Sequence, residues 1–280
     1  MKVHLVDGTF ELFRCFHAAP PAEAEGRQVG AVRGLLHTLA KLLRREDVSH
    51  VAVAFDGALD RRDDPGPPGQ QGLALAATRA LGLVVWPMVR RYEADDALAT
   101  GAALYADQPG VEQVVLCTAD KDLAQCVRAD QVVLWDRMRG RRYDEPAVRE
   151  RWGVGPASIP DYLALRGDAA DGLPGLPGWG AKGAATLLAR YERLEAIPPE
   201  ASEWEVSVRG AERLARTLRE RWHEALLYRD LIRLARDVPL PHSLAELEWP
   251  GAPRGELERF CARIGEETLL EGIPRWEQGA

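Results

Sequence analysis

Five short apolar runs recur in the first 155 positions, at residues 3–6, 51–55, 83–86, 114–117 and 132–135, and each is close to continuous rather than alternating. A strand with one wet face alternates apolar and polar residues, so near-continuous runs mean strands buried on both faces. Between the first two runs, Val29, Val32, Leu35, Leu36, Leu39, Leu42 and Leu43 fall on one stripe of a helix. Helical spacing also fills residues 70–81, 94–106 and 121–128. Strands alternating with helices predict βαβ units, hence an α/β fold with a mainly parallel central sheet and helices on both faces. Beyond residue 155 the β-runs stop. Helical patterns then cover 158–166, 184–191 and the Arg-rich 209–236, with a Gly/Pro-rich stretch at 167–183. The reading is an α/β domain over 1–155, a helical region over 156–236 and a tail over 237–280 that packs on the core.

Composition narrows the class. A hydrophobic share of 46% supports a real core, and no apolar run approaches the length of a membrane span. The N-terminus reads as a strand cut short by Asp7 rather than as a leader peptide. Cys15, Cys117, Cys126 and Cys261 form no CxxC pair. That argues against a zinc site or a disulfide framework and for a cytoplasmic setting. The formal charge is −7, from 36 Lys+Arg and 43 Asp+Glu. Nine of those acids belong to the site proposed below; without them 34 acids face 36 bases. An acidic pit in a basic surround is compatible with a nuclease, whereas passive coating of nucleic acid is disfavoured.

The acids fall where a parallel sheet binds ligands. Asp7 and Asp56 close the first two strands, and Asp120 lies three residues beyond the fourth, with Asp122 two later. Any one of them reads as a turn or cap residue; three strand ends of five carrying one is more than capping asks. Glu93, Asp95 and Asp96 open the next helix within four residues. Dipole complementation there is worth about 0.3–1 kcal/mol per charge and is offset by repulsion, a conflict that a divalent cation removes. Oxygen ligands alone, without His or Cys, suit Mg²⁺ or Mn²⁺ and not zinc. Asp168 and Asp171 add two more acids. Gly178, Gly180, Lys182 and Gly183 follow, just ahead of a helix, where glycine and free N–H groups suit a phosphate. Of the eight Trp, Trp86, Trp135 and Trp152 read as packing, and Trp179, in the glycine loop, is the one candidate for a place near nucleic acid.

Together these segments resemble the 5′-nuclease superfamily, and within it the bacterial 5′–3′ exonucleases and flap endonucleases. The matching segments are Leu5-Val6-Asp7-Gly8 with Arg14 and His17, and Val53-Ala54-Phe55-Asp56. Next come Tyr92-Glu93-Ala94-Asp95-Asp96 and Thr118-Ala119-Asp120-Lys121-Asp122-Leu123. The last is the run from Asp161 through Asp168 and Asp171 to Lys182. The resemblance implies a PIN-like nuclease core and a helix-two-turns-helix module at the glycine loop that grips duplex DNA and holds a K⁺ ion. It also implies two Mg²⁺ (or Mn²⁺) ions for phosphodiester hydrolysis. Carried over by position, Asp7, Asp56, Glu93, Asp95 and Asp120 are inner metal ligands. Asp96, Asp122, Asp168 and Asp171 serve the second metal or the outer shell, and Arg14, Gly178, Gly180, Lys182 and Gly183 contact DNA. The implied partner is a DNA duplex with a single-stranded 5′ end or flap, bound by a stand-alone monomer with no membrane contact, in replication or repair.

The chain departs from that pattern after Asp56. Residues 57–72 are Asp-, Gly- and Pro-rich and short, where the family carries a cationic helical arch; no Lys occurs between Lys41 and Lys121, and Arg61 and Arg62 are the available substitutes. Gly172 stands where an Asn is usual, and Ala119 where a Gly is. Two other readings therefore stay open: a non-catalytic or weakly active binder of branched or duplex DNA with a degraded arch, and a PIN-type ribonuclease. The intact acids favour the nuclease, and the glycine loop favours DNA.

Overall fold

The structure, a computed structural model, describes residues 1–57, 69–88 and 92–278. Arg61, Arg62 and most of the stretch assigned to a short arch lie outside the described residues. The chain forms two compact units: Met1–Thr118 with Ala235–Ala280, and Ala119–Leu234.

Unit 1 opens with β1 (Lys2–Asp7), α1 (Gly8–Ala18), a small hairpin of β2 (Glu23–Ala24) and β3 (Arg27–Gln28), and α2 (Gly30–Leu43). It continues through β4 (His50–Phe55), α3 (Gln71–Ala80), β5 (Val84–Pro87), α4 (Ala94–Tyr105) and β6 (Gln113–Cys117). Its four long strands are all parallel, in the order β5-β4-β1-β6. Every residue of β4 and all but the first of β1 are buried, which is why their sequences do not alternate. The aliphatic stripe of α2 is buried along its length, Val32 and Leu35 through Leu43. Close approach is built from small residues. A Cβ on Gly101 of α4 would sit 2.9 Å from Leu5, and one on Gly34 of α2 would sit 3.0 Å from Cys15 of α1.

The C-terminal segment belongs to this unit. Trp249 is 2% exposed and donates from Nε1 to the Leu81 carbonyl at 2.8 Å. The Tyr105 hydroxyl donates to the His242 carbonyl at 2.7 Å, and Trp86 Nε1 donates to His242 Nδ1 at 3.1 Å. The helix Arg254–Ile264 buries Leu257, Phe260, Cys261 and Ile264, and Arg33 Nε donates to the carbonyl that ends it.

Unit 2 holds an antiparallel hairpin of β7 (Val132–Asp136) and β8 (Arg141–Tyr143), then α5 (Glu145–Trp152), α6 (Ile159–Arg166), α7 (Ala181–Tyr191), α8 (Ala211–Glu220) and α9 (Trp222–Ile232). Helix α6 is buried on most of its surface, and Asp161 within it meets Arg229 of α9 at 3.3 Å with both side chains buried. One expectation changes here, and another is refined. The helix expected at 121–128 is a 3₁₀ turn, Asp122–Cys126. The Arg-rich span 209–236 is two helices, broken at Arg221 where ψ turns to 26°.

Candidate active site

Asp7, Asp56, Glu93 and Asp96 of unit 1 are held by backbone donors, the first two at the carboxyl ends of adjacent strands and the others at the start of α4. Asp7, 6% exposed, ends β1 and caps α1: Oδ1 accepts the Phe10 N–H at 2.8 Å, and Oδ2 accepts the Thr118 hydroxyl at 2.9 Å. Asp56 follows β4, the parallel neighbour of β1, and its Oδ1 accepts the Ala94 N–H at 2.7 Å. The Asp56 backbone is itself fixed, its N–H donating to Thr9 Oγ1 and its carbonyl accepting from Gln71. Glu93 and Asp96 form a reciprocal capping box on α4, and the other oxygen of Asp96 accepts the Ala235 N–H at 2.8 Å. Glu93 is exposed, and Asp95 and Asp96 are half-buried. These carboxylates are thus pre-oriented on strand ends and helix starts. The sequence reading assigned no role to Thr118 or Thr9; their signal was adjacency to the acid motifs.

Unit 2 carries its own cluster. Carboxylate oxygens of Asp122, Asp168 and Asp171 all lie within 4.8 Å of one another. Asp120 Oδ1 accepts the Asp122 N–H at 2.9 Å, fixing the start of the 3₁₀ turn. Lys121 closes the set with an ion pair to Asp168 and a second, at 3.3 Å, to Asp171. Burial, then the neighbouring Asp120 charge, push Asp122 up to about 7, and its Oδ1 is buried with no hydrogen-bond partner among the described residues. Burial and the bond to Asp168 push Asp171 up as well. Asp168 goes the other way: burial opposes its ionisation, but Lys121 outweighs it and holds the carboxyl below the ordinary range. An all-oxygen set with an orphaned buried carboxylate oxygen and a cation already drawn in fits a hard divalent cation such as Mg²⁺.

That arrangement sets a pH dependence. A carboxyl near 7 in the folded chain and near 3.9 unfolded keeps its proton on folding, so rising pH between about 4 and 7 removes stability, by up to about 4 kcal/mol for this group. A divalent cation binds the ionised form and reverses that loss. The increase in melting temperature on exchanging EDTA for Mg²⁺ is therefore expected to be several degrees larger at pH 8 than at pH 5. Equal increments at the two pH values would remove Asp122 from the metal centre.

The glycine loop leaves α6 at Gly167 (φ +85°). Asp168 and Leu173 exchange both backbone hydrogen bonds, at 2.8 and 2.7 Å. The returning chain then crosses so closely that a Cβ on Gly175 would lie 2.3 Å from the Gly167 nitrogen. Gly178 is left-handed (φ +83°) and Gly180 starts α7 with no side-chain cap and open space where a Cβ would be. Lys182 is exposed in the first turn of α7, and Gly183 is half-buried one residue on. Trp179 is 6% exposed, so it packs beneath the loop. Arg14, on α1 in unit 1, is half-buried; its guanidinium is taken by buried Glu11 and by Thr38 Oγ1 at 2.9 Å.

A sequence model described as the N-terminal resolvase-like domain of 5′–3′ exonuclease matches residues 2–65 and 69–153, and one described as its C-terminal SAM fold matches 154–254. DNA polymerase I of Pseudomonas aeruginosa is 36% identical over 277 residues, covering 90% of this chain and 29% of that protein. DNA polymerase I of Bacillus caldotenax is 32% identical over 289 residues, covering 96% and 32%. The chain therefore spans less than a third of the length of these relatives. Among solved structures, T5 5′-exonuclease with bound divalent zinc ions aligns with a TM-score of 0.58 at 17% identity, over 97% of this chain and 99% of that one. The catalytic core of Rad2 in complex with DNA substrate aligns at 0.61 and 14%, over 96% and 92%. At such identities the likeness is one of fold. No helix among the described residues is long and apolar enough to cross a membrane.

Proposed function

Because the chain belongs to the 5′–3′ exonuclease family, we propose that it is a divalent-metal-dependent nuclease that hydrolyses DNA phosphodiesters at single-stranded 5′ ends and flaps. The observation that carries this is the convergence of Asp122, Asp168 and Asp171 within 4.8 Å, beside an ammonium group. Two Mg²⁺ ions, when bound, supply the charge that clamps a scissile phosphate and lowers the pKa of an attacking water. The chain's residues provide the rest. Asp122, Asp168 and Asp171, with Asp120, hold one set of oxygens. Asp7, Asp56, Glu93, Asp95 and Asp96 present another on strand ends fixed by backbone N–H groups. Lys121 offsets the acids until metal and substrate arrive. The loop residues Gly178, Gly180, Lys182 and Gly183 would receive a backbone phosphate of the duplex, and K⁺, if bound at this loop, would add positive charge beside it. We take the working form to be a cytoplasmic monomer acting in replication or repair.

The test is cleavage of a labelled 5′-flap DNA duplex with Mg²⁺, beside EDTA and an RNA of the same sequence. Cutting of DNA that stops in EDTA is expected. A flap that is bound and never cut would make the protein a binder, and preferential cutting of RNA would overturn the substrate. Lys182→Ala is expected to weaken duplex binding more than it slows the bound complex. The slope of log K against log salt should fall by about one unit, as for one lost phosphate contact. An unchanged slope and affinity would reduce the loop to a structural role.

A further inference from the structure

The hairpin β7–β8, α5 and α6 line a cavity of about 350 Å³ in unit 2, which meets the glycine loop at Arg166. Four lining side chains are cations, Lys121, Arg139, Arg151 and Arg166, against one acid, Asp136. Two of the four are already neutralised. Lys121 pairs with Asp168 and Asp171, and Arg139 Nη1 lies 2.9 Å from buried Asp136. Arg151 and Arg166 have no carboxylate partner among the described residues. Both line the same cavity as Tyr162. Tyr162 is 4% exposed, and the Arg166 guanidinium lies 5.8 Å from its ring centroid. Burial pushes the Tyr162 hydroxyl up, and the positive charges of Arg166 and Arg151, which line the same cavity, oppose that rise. The far wall is aromatic: the rings of Tyr143 and Trp152 stand 5.4 Å apart, tilted by 49°.

Two like charges left unpaired around a nearly buried phenol repel each other, and an anion between them removes the conflict. Guanidinium forks match the oxygens of phosphate, and the phenol adds a donor. One phosphate fills a small part of 350 Å³, and the aromatic wall offers a face on which a base stacks. Lys121 belongs to both the cavity wall and the acid cluster, so a strand seated here ends one side chain away from the carboxylates. The geometry points to a phosphate subsite for a nucleotide of the substrate strand, with Arg151, Arg166 and Tyr162 as its phosphate ligands and Tyr143 and Trp152 as its base platform. The inference rests on the chain's acting on nucleic acid. The phosphate comes either from a terminal 5′-phosphate or from an internal phosphodiester.

The experiment measures binding in EDTA, where nothing is cut. Two fluorescent 5′-flap duplexes identical except for a 5′-phosphate or a 5′-hydroxyl are titrated against the wild type and the double variant R151Q/R166Q. Deoxyadenosine 5′-monophosphate is titrated into both proteins by calorimetry. Both arginines are exposed and the variant breaks no ion pair, so its melting curve should match the wild type; Tyr162→Phe, which removes only a hydroxyl, serves as a second and milder variant. For a terminal phosphate, the wild type prefers the phosphorylated flap by about tenfold and the double variant loses that preference. For an internal phosphodiester, both flaps weaken equally in the double variant and the salt slope falls by about two units. In either case the wild type binds the monophosphate more tightly than the double variant, and Tyr162→Phe lies between. If wild type and double variant bind both flaps and the monophosphate alike, there is no phosphate subsite. Mg²⁺-dependent cleavage of the 5′-hydroxyl flap by the same preparations is scored separately, so that loss of this subsite leaves the nuclease reading standing or falling on its own.

Discussion

Asp120→Ala is expected to abolish nearly all Mg²⁺-dependent cleavage while leaving the fold in place. Changes to residues that only support a metal ligand cost about 10–100-fold, so loss of a carboxylate from the centre itself should exceed about 100-fold. The stability balance is close to even. The lost hydrogen bond from the Asp122 N–H, 2.9 Å in the native chain, costs about 1 kcal/mol. Against that, Asp120 is one of the charges that push Asp122 up, so its removal relieves repulsion in the metal-free cluster. Melting in EDTA should therefore stay within a few degrees of the wild type. Asp120→Asn separates the two effects, since it keeps an acceptor for the N–H and removes the charge; it should be as inactive as the alanine variant. Near wild-type turnover by either would take Asp120 out of the catalytic centre.

Gly175→Ala should produce the largest loss of stability of any single methyl added to the glycine loop. The residue sits at φ +66°, where an L side chain costs about 1–2 kcal/mol. Its Cβ would also fall 2.3 Å from the Gly167 nitrogen and 2.6 Å from the Arg166 carbonyl carbon. Both are backbone atoms, so no rotamer relieves the contact, and the two strands of the crossing must part. A cost above about 3 kcal/mol follows, or a fall in melting temperature of roughly 6–12 °C for a chain of this size. Duplex binding should fall with it, because the crossing places Gly178 and Gly180. Gly180→Ala is the control: its Cβ meets open space and φ is −131°, so only a small capping effect is expected. Equal melting of Gly175→Ala and the wild type would refute the crossing.

Much of the architecture was legible because burial leaves a simple pattern. The five apolar runs are β1, β4, β5, β6 and β7, and the stripe from Val32 to Leu43 is the buried face of α2. Elements without such a pattern escaped. Helix α5 buries only Val148 and declares itself through its caps, Asp144 before it and left-handed Gly153 after it. Helix α1 was masked because it exposes Phe13 and Phe16 and buries Glu11, the reverse of the usual preference. The break at Arg221 has no proline or glycine to mark it. At the site, motif spacing singled out each acid but not its company. That Asp96 also holds the Ala235 N–H, that Asp56 steadies the start of α4, and that Lys121 bridges Asp168 and Asp171 depend on residues distant in sequence.

The interleaving of the two units along the chain bears on how the protein is made. Unit 2 is one uninterrupted stretch, whereas unit 1 is left at Thr118 and resumed only at Ala235. When residue 234 has just emerged from a ribosome, every residue of unit 2 is available and unit 1 is still incomplete. At that moment the Trp86 indole and the Tyr105 hydroxyl await His242, the Leu81 carbonyl awaits Trp249, and the buried places of Leu257 and Cys261 stand empty. Such a half-built layer exposes apolar surface and is the form most prone to aggregate. The last stretch of the chain is thus a clasp on the first. Nascent chains stalled before residue 242 should bind chaperones and resist compaction of their N-terminal half, although its parallel strands have all been synthesised.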